Sequence, residues 1–528
     1  MLDLVTLFAL VGVVLTVSAL TSGLVERAPL SFPILFMGLG FVLGGRGLGM
    51  LHVSPHDPLL EAVAIISLAF VLFLDAVKMQ PSEFRKGGLI PMLVLGPGTL
   101  LTIAGVAGIS ALLLHTGLIP SLLLGAILAS TDPVVLRDVL RNPKIPRSVR
   151  QTLSIEAGTN DLVVLPIVLV LIALAQGKGG GVSYWLKFLG QVFLLGPVIG
   201  FAVGGAGAWL MARIDARMGI RREHQALFGV GLVLVAYTAA VAAGGDGFLA
   251  AFAAGFAVVV LDLELCDCFL EYGETTVEMA MLLAFVLFGA ALSMMLETIP
   301  FWPTLALALV ALVAVRPLAI GMVLHRTSLS RSGRAFIGWF GPRGLSSLLL
   351  VLLAVQGHVP GAERLMAITG AVAIVSVLLH GVSATPFSHW YVARVASEVL
   401  PEERESTAAG MFGDGATQAP AVIQAEELHY RLQGPAPPVV LDVRGRSAYF
   451  GEQIPGSIHV LPDQIVQWAA DQPRDREVVT YCTCPGEGTS GRAVRQLQKL
   501  GFTASALERG LDAWRERYPV EPAHIPLP

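Results

Sequence analysis

Apolar runs of about twenty residues recur over the first three quarters of this chain, and they decide its architecture. Only helices and closed barrels satisfy their own backbone inside a bilayer. The runs fall near 3–24, 30–49, 59–77, 89–114, 119–140, 151–175, 184–211, 225–243, 247–262, 277–296, 301–324, 335–356 and 364–392. Thirteen such segments specify an all-α polytopic membrane protein of about 13 transmembrane helices. Charged residues make up 14% of the 528, against about 25% in soluble domains. The net charge of −4 gives no basis for nucleic acid as a partner.

Basic residues alternate from loop to loop. Arg27 follows span 1, Lys78, Arg85 and Lys86 follow span 3, and Arg137, Arg141, Lys144, Arg147 and Arg150 follow span 5. Arg213, Arg217, Arg221 and Arg222 follow span 7, and Arg326, Arg331 and Arg334 follow span 11. The loop after span 9 is acidic and breaks the pattern. Cytoplasmic loops collect Lys and Arg. The N-terminus is therefore expected outside and the C-terminal region in the cytoplasm, in a cell (inner) membrane. Asp3 stands where a signal peptide would carry basic residues, so the first run reads as a retained helix. Four cysteines, in the pairs Cys266/Cys268 and Cys482/Cys484, lack histidines at zinc spacing. No metal or cofactor is expected, and the setting is reducing.

Two apolar runs carry carboxylates that a lipid environment makes costly, at about 3 kcal/mol each. Thr131-Asp132-Pro133 interrupts the fifth run. It is either ordinary helix-start chemistry or a helix broken within the membrane, whose freed groups line an ion path. Glu156, Asn160 and Asp161 lie on one half of the sixth run. A structural polar network accounts for Glu156 and Asn160 but leaves Asp161 without a partner. Asp75 is open between a pore-side group and a helix-end acid near Lys78, and Asp246 reads as a turn. The abundant glycines read as close helix packing.

These motifs resemble the monovalent cation:proton antiporter-1 family, the sodium/proton exchangers. The family's Thr-Asp-Pro break is matched at 131–133, and its Gly-Glu-Ser-x-x-Asn-Asp stretch by Ile155-Glu-Ala-Gly-Thr-Asn-Asp161. Gly247-Phe-Leu-Ala-Ala-Phe-Ala-Ala-Gly255, Arg316-Pro317 and Trp339-Phe-Gly-Pro-Arg343-Gly344 also look like family signatures. The resemblance implies inverted repeats with two broken helices crossing at the site. By it, Asp161 binds cation and proton competitively, Asn160 holds the crossing, and Thr131 supplies a ligand. Asp132 belongs to the same ion-binding group and reads more as a helix-end charge than as a second carrier. Glu156 pairs with Arg343, and the Asn-Asp pair marks electroneutral exchange. The family's serine after the glutamate is Ala157 here. Coordination then falls to Thr131, Asp161, water and Thr159, which leaves the choice among Na⁺, K⁺ and Li⁺ open. The family also implies a homodimer.

Composition changes after about residue 396. Residues 397–421 read as a linker, 422–520 as a small α/β domain and 521–528 as a tail. Leu441-Asp-Val-Arg444, Tyr449, Ile454-Pro-Gly-Ser-Ile-His459 and Gly510-Leu-Asp-Ala-Trp514 resemble the rhodanese domain. That resemblance makes Cys484 the thiol that takes sulfane sulfur from a donor, with Cys482 a second candidate or a resolving thiol. Glu487 would weaken attraction for thiosulfate. The expected protein is a secondary antiporter with a regulatory rhodanese-like domain that has possible sulfurtransferase activity. A membrane-anchored sulfurtransferase and a cation channel of related architecture are the alternatives.

Overall fold

The computed structural model describes residues 4–25, 32–79, 89–132, 145–177, 181–218, 222–261, 267–327, 329–397, 421–435, 437–444, 452–460, 464–470, 476–482 and 488–522, with isolated positions between them. The linker 398–420, Pro133, Tyr449, Cys266, Cys484 and Glu487 lie outside the described residues. The chain divides into two compact units, one built from the apolar helices and one mainly from Thr407–Pro528.

In the first unit, α1 (Leu4–Val25), α2 (Phe32–Leu43) and α3 (Pro58–Lys78) are followed by α4 (Leu89–Leu114) and α5 (Leu118–Ile127). Next come α6 (Arg147–Ala175), α7 (Val182–Asp215), α8 (Arg222–Ala242), α9 (Gly247–Val260) and α10 (Asp267–Met295). The series closes with α11 (Phe301–Leu324), α12 (Arg331–Trp339), α13 (Leu345–Gln356) and α14 (Ala362–Ser397). Seven described helices are long and apolar enough to span a membrane, and five shorter apolar helices accompany them. That falls short of the thirteen full spans expected. The fifth and twelfth apolar runs account for part of the difference, because each is interrupted. The fifth leaves helical form after Ile127, and the twelfth is divided into α12 and α13 by Phe340–Gly344.

Local chemistry explains the starts of these helices. Asp57 caps α3 through Leu59 N–H at 2.9 Å, and Asp246 caps α9 through Leu249 N–H at 2.8 Å. Asp246 is thus a helix cap rather than a simple turn. Glycines sit where backbones meet. A Cβ on Gly125 would lie 2.5 Å from the Ile103 carbonyl of α4, and one on Gly255 would lie 2.4 Å from the Phe73 carbonyl of α3.

Besides α7, whose π turn at Gln191–Leu195 leads into Gly196, two described helices carry such a wide turn. α4 contains a π turn at Val94–Gly98, and α11 contains one at Ala311–Val315. Such turns open the backbone ladder and frequently mark functional positions. Here each is followed at once by a polar residue, Thr99 in α4 and Arg316 in α11.

The second unit is a five-stranded parallel sheet in the order β1-β6-β5-β2-β4, with a short antiparallel pair β3-β7. Its strands are β1 (Val422–Ile423), β2 (Val439–Asp442), β3 (Glu452–Gln453), β4 (Ile458–His459), β5 (Val478–Tyr481), β6 (Ala504–Leu507) and β7 (Glu521–Pro522). Helices α15 (Ala425–Leu432), α16 (Ile465–Ala470), α17 (Gly488–Lys499) and α18 (Gly510–Arg515) alternate with them. β5 is buried along its whole length, and its β-branched and aromatic residues Val478-Val-Thr-Tyr481 suit a central parallel strand.

Candidate functional site

The two interrupted segments cross. Asp132 N–H donates to the Pro342 carbonyl at 2.9 Å, joining the end of the first break to the second. Each break exposes a helix end, and a side chain from the other segment meets it. Arg343 donates through Nη1 to the Ala129 and Ser130 carbonyls at 2.7 and 2.8 Å, beyond the C-terminal end of α5. The Asp132 carboxylate accepts Leu345 N–H at 2.9 Å, at the N-terminal end of α13. A cation at a helix C-terminus and an anion at an N-terminus both oppose the partial charges of the helix ends. Arg343 is held in turn: its N–H donates to Ser376 Oγ at 2.7 Å. His380 bridges Ser376 and the Trp339 carbonyl.

The sixth helix passes this crossing. Asp161 is 7% exposed, and its Oδ1 accepts the Ser130 hydroxyl at 2.5 Å. Ser346, the second residue of α13, brings its hydroxyl close to the same carboxylate. Asp75 on α3 lies within electrostatic reach of both Asp161 and Asp132, with Lys78 beside it. The carboxylate of Asp161 is thus met by neutral hydroxyls from both broken segments and faces other acids. Burying a charge on such terms is costly, and a cation or a proton relieves the cost.

Several sequence expectations change. Glu156 pairs with Arg316, not with Arg343. Arg316 Nη1 and Nη2 donate to the two carboxylate oxygens at 2.7 and 3.0 Å, and Nη2 also reaches the Phe340 carbonyl at 2.9 Å. Both side chains are 3% exposed. The π turn in α11 delivers Arg316 to α6, while Arg343 is occupied by the carbonyls beyond α5. Asn160 does not hold the crossing. Its Nδ2 donates to Thr99 Oγ1 on α4 at 3.3 Å, and its Oδ1 is buried without a partner. The Thr159 hydroxyl donates to the Ile155 carbonyl of its own helix at 2.6 Å, so its proton is spent locally. Thr131 does lie at the crossing, and its Oγ1 is buried without a partner. Ala157 packs in an apolar cluster with Val94, Ile320 and Phe340.

Ser130, Ser346, Arg316 and His380 are the site residues that sequence reasoning missed. Arg316 carried a signal in the Arg316-Pro317 dipeptide, but not the identity of its partner. The two serines look like ordinary small residues in apolar runs.

In the α/β unit, Arg444 and Asp442 form a buried pair at the C-terminal end of β2, with Nε at 2.8 and 2.9 Å from the two carboxylate oxygens. Tyr481 Oη donates to Asp442 at 2.9 Å and meets Ser457 Oγ at 3.0 Å. Burial, and then the Asp442 carboxylate, hold the Tyr481 phenol above its ordinary range. Cys482 is 1% exposed, and its thiol lies 3.5 Å from Ser490 Oγ. Such burial counts against Cys482 as an alternative nucleophile, because sulfur exchange requires access.

Comparison with known proteins agrees with both units. The family model for the transmembrane sodium/hydrogen exchangers matches residues 13–390, and that for the rhodanese-like domain matches 424–517. The K(+)/H(+) antiporter NhaP of Alkalimonas amylolytica is 27% identical over 402 residues, covering 74% of this chain and 68% of that protein. The K(+)/H(+) antiporter NhaP2 of Shewanella oneidensis is 26% identical over 406 residues, covering 76% and 68%. The solved sodium proton antiporter MjNhaP1 from Methanocaldococcus jannaschii shares the fold, with a TM-score of 0.60 and 20% identity over 73% of this chain and 99% of that one. Crossed broken segments beside a buried aspartate, on a model match spanning residues 13–390, establish that this chain belongs to the sodium/hydrogen exchanger family and carries a rhodanese-like domain at 424–517.

Proposed function

We propose that the membrane unit exchanges a monovalent cation for a proton, one for one, by alternate occupancy of Asp161. The observation that carries this reading is the Asp161 carboxylate, buried at the crossing and bonded by hydroxyls rather than by a permanent cation. A deprotonated Asp161 attracts a cation stripped of part of its water. A protonated Asp161 has no charge to hold one, so each species displaces the other. Thr131 is the ligand proposed beside it, because its buried hydroxyl has no partner within the protein. Asp132 is proposed as the charge that fixes the end of α13, and Asn160 as the group that holds α6 against α4. The Thr159 hydroxyl is left a minor role by its bond to Ile155.

The relatives named K(+)/H(+) antiporters make K⁺ the first ion to test, with Na⁺ and Li⁺ beside it. A homodimer in the inner membrane, with the N-terminus outside and the rhodanese-like domain in the cytoplasm, completes the proposal. That domain would take sulfane sulfur on Cys484 and adjust transport, a reading motivated by its fusion to the exchanger. In proteoliposomes loaded with a pH-sensitive dye, K⁺, Na⁺ or Li⁺ should drive proton movement, and Asp161→Asn should abolish it. Cation flux without proton coupling would indicate a channel and overturn the reading.

A further inference from the structure

The hydroxyls at the crossing form a pattern. Ser130-Thr131 ends the first broken segment, and Ser346-Ser347 opens α13 in the second. In each pair the first residue meets the Asp161 carboxylate, Ser130 through a 2.5 Å hydrogen bond and Ser346 by its closeness, and the next has a buried hydroxyl without a partner. All four are 5% exposed or less. Ser346 is held in place by the cap beside it, since Leu345 N–H is fixed on Asp132 at 2.9 Å. Meanwhile Ala157 offers no oxygen and faces an apolar cluster.

We propose that Ser346 is a specificity-determining residue of the cation site, supplying from the second broken segment the hydroxyl ligand that position 157 lacks. This rests on the reading that Asp161 carries the transported cation. Alkali cations favour oxygen ligands. A serine hydroxyl that donates to a bare carboxylate can rotate and present its lone pairs once a cation neutralises that carboxylate. Ser346 then serves both states of Asp161. Because the ligand comes from α13, a bound cation ties the second broken segment to α6, as Ser130 ties the first.

The test is the cation dependence of exchange in proteoliposomes, with K⁺ and Na⁺ titrated separately. Ser346→Ala should raise KM for the transported ion about tenfold, the worth of one good ligand, with the maximal rate changed far less. Ser346→Thr keeps the hydroxyl and should stay near wild type. Ser346→Val, close to threonine in shape but without a hydroxyl, should behave as Ser346→Ala does, whereas a purely structural role would leave Ser346→Thr and Ser346→Val alike. Stabilisation of the detergent-solubilised protein by K⁺ or Na⁺ gives a second readout, and Ser346→Ala should weaken it. An unchanged KM in Ser346→Ala, or equal KM values in Ser346→Thr and Ser346→Val, overturns the proposal. Wild-type protein without cation-coupled proton flux would instead remove the antiport reading beneath it, so the two failures are distinguishable.

Discussion

Glu156 shows how finely a buried charge is assigned. Two arginines lie near it, yet only Arg316 faces it in a fork, while Arg343 spends its Nη1 on two carbonyls. Removing one member of a buried pair strands the other, at about 3–5 kcal/mol. Arg316→Met should therefore unfold the protein in detergent at markedly lower temperature, and adding Glu156→Met should recover much of the loss. The same cycle with Arg343→Met should show little coupling to Glu156. Strong coupling to Arg343 instead would contradict the pairing. Gly344 is constrained as sharply, since a Cβ there would stand 2.0 Å from Asp132 Oδ2. Gly344→Ala should displace the carboxylate from Leu345 N–H, cost about 1 kcal/mol as a lost cap, and sharply reduce exchange. A Gly344→Ala variant with wild-type flux would show that the cap is dispensable. The acids and the Thr-Asp-Pro break were legible in the sequence because charge in an apolar run is conspicuous. Partner choice was not legible, because it depends on a π turn that rotates Arg316 toward α6. The role of the serines was hidden for a simpler reason: small hydroxyl residues are common in membrane helices and carry no periodic signal.

At the scale of elements, the apolar periods located nearly every helix, and the alternating strands and helices located the parallel sheet. The difference between apolar length and unbroken helix length was invisible, because a broken helix is as hydrophobic as a whole one. The break trades backbone hydrogen bonds for charge at helix ends, which Arg343 and Asp132 offset. The α/β unit relies on a buried polar network of another kind. Tyr481 joins β5 to β2 through Asp442, and it accepts Ile454 N–H at 3.2 Å. Tyr481→Phe should destabilise this domain by about 1–3 kcal/mol, as a buried acceptor loses its donor. The phenol also sets an alkaline limit. Its folded pKa is raised, so the unfolded chain ionises first, near pH 10. The stabilisation is therefore fully present below about pH 10 and is lost as pH rises beyond it. Protease resistance of the domain in the full-length protein, followed from pH 8 to pH 11, should fall at the alkaline end. In Tyr481→Phe that component of the decline should be absent. A wild-type domain equally resistant at both ends would contradict the linkage. Gly510 is a further tight point, with φ of +54° and a Cβ position 1.7 Å from the Cys482 carbonyl.

For the membrane part of the molecule, the proposed orientation rests on charge at loops, and aromatics mark the helix ends. Tyr184 and Trp185 open α7, and Phe301 and Trp302 open α11, with Trp302 74% exposed. In the proposed orientation both helices begin on the outer side. At the other end of α14, Trp390 is 42% exposed and Arg394 follows one turn later. Aromatic rings gather at the two bilayer interfaces, and Lys and Arg gather on the cytoplasmic side. The rings mark where a helix meets an interface, and the basic loops alone indicate which interface is cytoplasmic. A fluorescent protein fused after Pro528 should therefore fold and fluoresce, and alkaline phosphatase fused at the same point should stay inactive. The acidic loop near residue 267 is the one place where charge gives no guidance. A phosphatase fusion truncated within that loop separates two cases. Inactivity there means that the other basic loops outweigh one acidic loop. Activity there would require an even number of spans between that loop and the outside, and would break the assignment for every helix after α9.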